Sequence, residues 1–254
     1  MTEMASFPDL RGKSVFITGG GSGIGADLTD GFLSQGAKVA FIGRSDASDF
    51  VEAMGQKHGT APLFIQGDVT AMDSLHDSMQ KAAAAHGAID VLVNNAANDQ
   101  RHSLEDADDA FWEGMIAVNL KAYFFACQEA ARQMEKGGAI LNFSSISYMM
   151  GNAGYPIYTT ANAGITGMTR SLARELGPRN IRVNALAPGW VLTQKQLDKW
   201  ATPDDLAAHL DRQCLKSHLT PKDIVAPTLF LCSEASRMMT GQCMAVDGGV
   251  VVSG

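Results

Sequence analysis

The sequence predicts an α/β fold: a single doubly wound parallel sheet with helices on both faces. Three observations carry that prediction. Short runs rich in β-branched residues recur along the chain, helix-length amphipathic segments separate them, and the glycine-rich stretch Thr18-Gly19-Gly20-Gly21-Ser22-Gly23-Ile24-Gly25 follows the first run directly. Strands of near-continuous hydrophobicity alternating with helices are the pattern of a parallel sheet covered on both sides.

In order, the apolar runs span residues 14–17, 39–42, 62–65, 91–93, 139–143 and 181–186, and a last short strand is expected at 244–246, closed by Asp247-Gly248-Gly249. The intervening helices are amphipathic: Ile24, Leu28, Phe32 and Leu33 share one face of the first, and Leu75, Met79 and Ala82 one face of the third. No repeat, low-complexity tract or linker interrupts the pattern, so residues 1–254 are read as one domain. The least regular stretch, 189–217, begins at Pro188-Gly189 and holds Trp190, Trp200 and the helix start Thr202-Pro203-Asp204-Asp205. So long an excursion after a strand end is where a lid over a binding cleft sits.

Bulk properties narrow the function classes. A chain of 254 residues, 46% hydrophobic and 19% charged, has material for one large core. A formal net charge of -7 and a pI near 5.3 argue against a nucleic-acid partner, which needs clustered Lys and Arg. Cys127, Cys214, Cys232 and Cys243 show no C-x-x-C spacing and lie mostly in apolar surroundings, so they are read as reduced core residues, which favours the cytoplasm. Residues 1–6 have neither a basic nor an apolar character, and no apolar run is long enough to cross a bilayer, so neither export nor a membrane partner is expected. The thirteen methionines are assigned to the core, and the scattered histidines lack metal-ligand spacing, so no metal site is expected.

The glycine stretch reads as a phosphate cradle. Glycines after a buried strand let backbone N–H groups approach a pyrophosphate, and the helix that follows adds unpaired donors and a favourable dipole. About twenty residues further on, an acid marks binding of a ribose 2′-hydroxyl and an arginine marks a 2′-phosphate. Here the acid position holds Gly43 and Arg44 follows, which points to NADP, with NAD possible because Asp46 and Asp49 stand close by.

Taken together, these residues resemble the short-chain dehydrogenase/reductase family over essentially the whole chain. The motifs are the glycine stretch, Asp68-Val69, Asn94-Asn95-Ala96-Ala97, Asn119, Ser145, Tyr158, and Pro188-Gly189 with Thr193. They fall past strand carboxyl ends or on helices facing them, where an open parallel sheet has its ligand crevice. The resemblance implies a Rossmann-type fold whose nicotinamide cofactor meets Gly19, Ser22, Gly23, Ile24, Gly25, Arg44, Asp68, Val69, Asn94, Asn95, Tyr158, Asn162, Pro188, Gly189, Val191 and Thr193. Asp68 would accept from the adenine amino group, Asn94 would lie beside the adenine-ribose half, and Ala97 stands where the family has glycine.

It also implies a catalytic set of Tyr158, Ser145, Asn119 and Asn162. The Tyr158 hydroxyl would exchange the substrate proton, Ser145 would donate a hydrogen bond to the reacting oxygen, with Ser144 and Ser147 as nearby contenders, and Asn119 would hold a water in the proton relay. Singly, Asn119 and Ser145 read as a buried, satisfied asparagine and a capping serine; their joint spacing with Tyr158 favours the site. In the family a lysine four residues past the tyrosine stabilises the tyrosinate, but here the run is Tyr158-Thr159-Thr160-Ala161-Asn162. Losing a nearby cation leaves a phenol of pKa about 10 a poor base at neutral pH, so oxidation is expected to be slow there and to recover as pH rises. Three readings compete: a natural variant with impaired or altered catalysis, a deliberate inactivating substitution, or a shifted register. A register starting at Tyr155 would put Thr159 in the lysine position and break the thirteen-residue spacing from Ser145 that Tyr158 keeps.

The polar loop Asn98-Asp99-Gln100-Arg101-His102, residues 145–148, Lys199-Trp200 with Thr202-Pro203, and residues 213–216 resemble bacterial aldose 1-dehydrogenases acting on pentoses such as xylose or arabinose. That resemblance implies oxidation of the anomeric carbon of a free aldose to its lactone, with NADP reduced. Asn98, Ser145, Ser147, Asn152, Tyr158, Trp190 and Gln194 would contact the sugar. Two other readings remain: a short-chain oxidoreductase acting on another alcohol, ketone or sugar acid, and a catalytically silent homologue that binds cofactor. Similar family members are often tetramers, and Ala126, Ala130, Ala131, Ala163, Gly164 and Gly167 are expected to offer small-residue helix faces for self-association.

Overall fold

The structure is a computed structural model that describes residues 5–252. Residues 1–4 of the N-terminal stretch discussed above lie outside the described residues. Seven parallel strands form one sheet in the order β3-β2-β1-β4-β5-β6-β7. They are β1 (Ser14–Thr18), β2 (Lys38–Gly43), β3 (Leu63–Gln66), β4 (Val91–Asn94), β5 (Gly138–Phe143), β6 (Ile181–Pro188) and β7 (Cys243–Val246). All seven predicted strands are present. β3 starts at Leu63, one residue later than expected, where its pairing with Ala40 of β2 begins.

The helices are α1 (Gly23–Ser34), α2 (Ser48–His58), α3 (Met72–His86), α4 (Asp109–Ile116), α5 (Ala122–Gln133), α6 (Ser147–Met150), α7 (Pro156–Leu176), α8 (Gln194–Lys199), α9 (Pro203–Arg212) and α10 (Pro221–Cys232). Alternation along each strand builds two cores. Val15, Ile17, Val39 and Phe41 turn to the layer that receives Leu28 and Phe32 of α1 and Ile224 and Leu229 of α10. Phe16, Ala40, Ile42 and Leu92 turn to the other, which receives Leu75 and Met79 of α3, Ala126 of α5 and Leu176 of α7.

Chain order reverses between β1 and β4, so the loops after these two strands part and leave a crevice at the carboxyl end of the sheet. The excursion after β6 has a closed neck: Val191 bridges Leu219, and the Leu192 N–H donates to the Leu219 carbonyl at 2.8 Å. Helices α8 and α9 lie inside that loop.

Some placements correct the sequence reading. Ala126, Ala130 and Ala131 are buried within the chain's own core, because small residues there let α5 lie close to the sheet, so only Ala163 and Gly167 of the expected association face are exposed, with Gly164 half-buried. Cys214 is exposed and Cys243 half-buried, whereas Cys127 and Cys232 are core residues. Met238 lies on the surface. Among the described residues, no helix is long and apolar enough to cross a membrane, and no group of His, Cys, Asp and Glu is arranged to hold a metal ion.

Candidate active site

The glycine turn is held open by its own packing. Gly19 sits at φ +71°, and a Cβ on Gly25 would overlap the Gly19 carbonyl oxygen, so only glycine lets α1 start so close to β1. Thr29 Oγ1 donates to the Gly20 carbonyl at 2.8 Å, and Asn95 Nδ2 donates to the carbonyls of Thr18 and Gly19 at 3.0 and 3.1 Å. Ser22 caps α1 in extended conformation without a side-chain bond to the first turn. The first-turn N–H groups have no partner within the helix, and Ser22, Gly23, Ile24 and Gly25 line the crevice, the arrangement that binds phosphate. The residues therefore fit a dinucleotide. Gly25→Ala is expected to weaken nucleotide binding at least tenfold, read by quenching of reduced-nicotinamide fluorescence, with a lowered melting temperature; unchanged affinity would show that the turn does not carry the phosphates.

The cleft enclosed by this turn, the strand ends and the lid measures about 1440 Å³. That exceeds the ~300–1,000 Å³ usual for one small ligand, as a dinucleotide plus a substrate requires. Arg44, Asp68 and Val69, which follow β2 and β3, line one end of it. Thr70 donates to Asp68 Oδ1 from its N–H at 2.9 Å and its hydroxyl at 2.8 Å, which orients the carboxylate. Asn94, expected beside the ribose, does not line the cleft. It is fully buried, and its Nδ2 donates to Asn142 Oδ1 at 2.9 Å, tying β4 to β5; Asn95 is the member of the pair that faces the opening.

The catalytic candidates meet in the centre. Between α4 and α5 the helix widens into a π turn, Ala117–Lys121, that carries Asn119 inward. Its side chain is spent on the polar loop: Nδ2 donates to the carbonyls of Met115 and Asn98 at 2.9 and 3.0 Å, and Oδ1 accepts from the Asn98 N–H at 2.8 Å. Ser145 lies at the end of β5, where its Oγ accepts from the Ser147 N–H at 3.1 Å. Tyr158 stands one helical turn before Asn162 on α7, its ring edge-on to Tyr155 at 5.9 Å. Burial first, and then the negative charge of Asp99, push the Tyr158 hydroxyl up to about 12; the groups that oppose them, Ser145 and Asn162, are both neutral. Asn162 is 2% exposed, and its Nδ2 donates to the Tyr158 backbone carbonyl at 2.8 Å.

At the outer end the excursion after β6 is fastened to the polar loop. Lys195 Nζ lies 2.6 Å from Asp99 Oδ1, Gln196 Nε2 donates to Asp99 Oδ2, and Gln196 Oε1 accepts from Trp190 Nε1 at 2.9 Å. Burial alone would raise the Asp99 carboxyl, but the hydrogen bond and charge of Lys195, helped by Gln196, hold it below the usual carboxylate range. Asn98, Ser147, Asn152, Trp190 and Gln194 all line the cleft, with the Gln194 amide donating to Asp198 on its own helix at 2.7 Å. Pro188, Gly189, Val191 and Thr193 line it too, and Thr193 also caps α8.

Sequence reasoning missed Lys195, Gln196, Asp205, His209 and Arg212, which line the cleft from the excursion after β6. Asp205, Ala208, His209 and Arg212 recur at helical spacing on α9, a signal available in the sequence. Arg101 was named only as part of a polar loop; its guanidinium lies 4.3 Å from the Tyr155 ring centre and 5.6 Å from that of Trp200.

A glycine phosphate turn at the switch point of a doubly wound sheet, with a serine and a tyrosine facing the middle of the same crevice, defines a dinucleotide-binding oxidoreductase. Comparison with known proteins gives the family. The family model described as enoyl-(acyl carrier protein) reductase matches residues 19–251. A probable galactose dehydrogenase, GalD, of Rhizobium meliloti is 46% identical over 97% of this chain and 98% of its own. A D-xylose 1-dehydrogenase of Caulobacter vibrioides is 45% identical over 96% of this chain and 98% of its own. Among solved structures, a blue fluorescent protein from a metagenomic library, in complex with NADPH, superimposes with a TM-score of 0.88 at 32% identity, covering 96% of this chain and all of that one. The chain belongs to the short-chain dehydrogenase/reductase family.

Proposed function

We propose that the protein oxidises the anomeric carbon of a free aldose, of pentose type, to the lactone with NADP as the preferred oxidant, and that Asn162 slows it at neutral pH. The observation that carries this reading is the juxtaposition, in one cleft, of Ser145 and Tyr158 with a polar wall made by Asn98, Asn152 and Trp190. Likeness to a galactose and a xylose dehydrogenase supports the sugar.

In the proposed reaction Tyr158 takes the proton of the anomeric hydroxyl while Ser145 donates a hydrogen bond to the same oxygen. The nicotinamide supplies the hydride acceptor. Asn119 acts through Asn98, holding the loop that frames the sugar. Asn162 braces the first turn of α7 below Tyr158 but gives the tyrosinate no charge to lean on. Arg44, which lines the cleft just past β2, would grip the 2′-phosphate beside the adenine. Cytoplasmic location and self-association through α7 belong to the same reading.

The test is an absorbance assay of aldoses, sugar acids and ketones with both nicotinamides at pH 7 and pH 9.5. Pentose oxidation with NADP, faster at pH 9.5, is expected; turnover of only sugar acids or ketones would replace the substrate. Arg44→Asp is expected to lower the NADP-to-NAD ratio of kcat/KM at least tenfold, and an unchanged ratio would remove Arg44 from the cofactor site.

A further inference from the structure

The first turn of α7 carries Tyr158, yet the residue at its N-cap position leaves that turn without a side-chain cap. Tyr155 stands there and makes no side-chain bond to the turn, and Pro156, which has no N–H, follows it. The Thr159 N–H returns to the Tyr155 carbonyl at 3.0 Å, so the N–H of Ile157 needs an acceptor from outside the helix. Ile157 is 4% exposed, which makes bulk water a poor partner. The acceptor comes from a residue 55 positions away: the Ile157 N–H donates to His102 Nε2 at 3.4 Å.

The other ring nitrogen fixes the tautomer. Nδ1 lies 3.3 Å from the Gln100 carbonyl, which only accepts, while Nε2 meets a backbone N–H, which only donates. A neutral imidazole with its proton on Nδ1 is the one form that satisfies both. The ring packs edge-on against Phe111 of α4 at 4.9 Å, and the His102 N–H donates to the Gly154 carbonyl, just ahead of α7, at 2.8 Å. Beside it the Arg101 guanidinium lies over the Tyr155 ring, which in turn packs on Tyr158. At its other end the same loop is gripped by Asn119 through both backbone groups of Asn98. Residues 98–102 thus span from the π turn to the start of the helix that aims Tyr158.

We propose that His102 is a positioning residue for Tyr158: its Nε2 lone pair caps α7 and sets where the tyrosine hydroxyl stands relative to Ser145. This rests on the proposed reaction only for the part that Tyr158 plays in it. A misplacement of ~1 Å at a reacting group costs on the order of a hundredfold in rate, so a cap on this turn matters to the chemistry as well as to the fold.

Three readouts test the assignment, and two of them need no substrate. Long-range proton–nitrogen spectra of the unmodified protein at about pH 8, where an ordinary histidine is neutral, should show the His102 proton on Nδ1; a proton on Nε2 would overturn the proposal without any variant. With tyrosine isotope-labelled at Cζ, the Tyr158 resonance, assigned by its loss in Tyr158→Phe, should move in His102→Phe, which keeps a ring beside Phe111 but has no lone pair. It should return toward its original position in His102→Gln, whose side-chain oxygen can accept from Ile157. In the same pair kcat for the sugar should fall about tenfold to a hundredfold in His102→Phe and recover in His102→Gln, with KM changed less than about twofold. A lowered melting temperature with an unmoved Tyr158 resonance and unaltered kcat, or equal losses in both variants, would leave His102 a packing residue only. The substrate is judged separately. A resonance that responds as expected in a protein that oxidises no aldose keeps the positioning role and sinks the aldose reading; aldose oxidation with an unmoved resonance does the reverse.

Discussion

Asn162→Lys is expected to raise turnover at pH 7 by between about tenfold and a thousandfold. With its hydroxyl pushed up to about 12, Tyr158 is almost wholly protonated at neutral pH. An opposite charge within ~4–6 Å lowers such a pKa by about 1–3 units, and each unit multiplies the ionised fraction by about ten. A lysine four residues along the helix falls on the same face as Tyr158, within reach of its hydroxyl. The negative Asp99 carboxylate, which now opposes ionisation of Tyr158, would favour the incoming ammonium. The sign with pH follows directly. A base that must lose its proton works better as pH rises, so kcat of the unmodified protein should climb about tenfold per unit from pH 7 to 10, and the variant's curve should break one to three units lower. Superimposable pH profiles for the two proteins would show that Tyr158 is not the base. Turnover absent at every pH in both, with cofactor still bound, would make the chain a silent binder.

The strands were legible because β-branched runs in a sheet buried on both faces stay apolar through both faces, as at Val15-Phe16-Ile17. The glycine turn was legible because its constraint is local: one backbone approach, between Gly25 and Gly19, dictates residue type. Asn94 and Asn95 illustrate what was not. Both are asparagines at a strand end, and which one enters the core is set by the pairing of β4 with β5, a partnership across 48 residues. Small residues on α5 were equally compatible with packing inside the chain or between chains, and sequence periodicity cannot tell these apart. The Asp99–Lys195 pair joins residues 96 apart, so no local pattern announces it. The π turn at Asn119 also leaves no mark in composition, yet it carries that side chain into the cleft wall.

Tyr158→Phe is expected to lower kcat by about a hundredfold to ten-thousandfold, the usual share of general acid–base catalysis, with NADP affinity changed less than about threefold. Phenylalanine keeps the ring packed edge-on to Tyr155 and removes only the hydroxyl, so a fall in melting temperature would point to a packing role instead. The slope with pH is the sharper criterion, because the rise toward pH 10 should vanish with the group that titrates. Combining both substitutions separates two explanations for any gain in Asn162→Lys. If the lysine acts by stabilising the tyrosinate, it has nothing to stabilise in Tyr158→Phe, and the double variant should be no faster than the single one. If it acts by gripping the nicotinamide ribose, its benefit should persist there as tighter cofactor binding. Residues that work as one unit give such non-additive cycles, whereas independent contributions add. A full gain in kcat in the absence of the Tyr158 hydroxyl would therefore move the proton acceptor elsewhere in the cleft and leave Asn162 as a cofactor-binding position only.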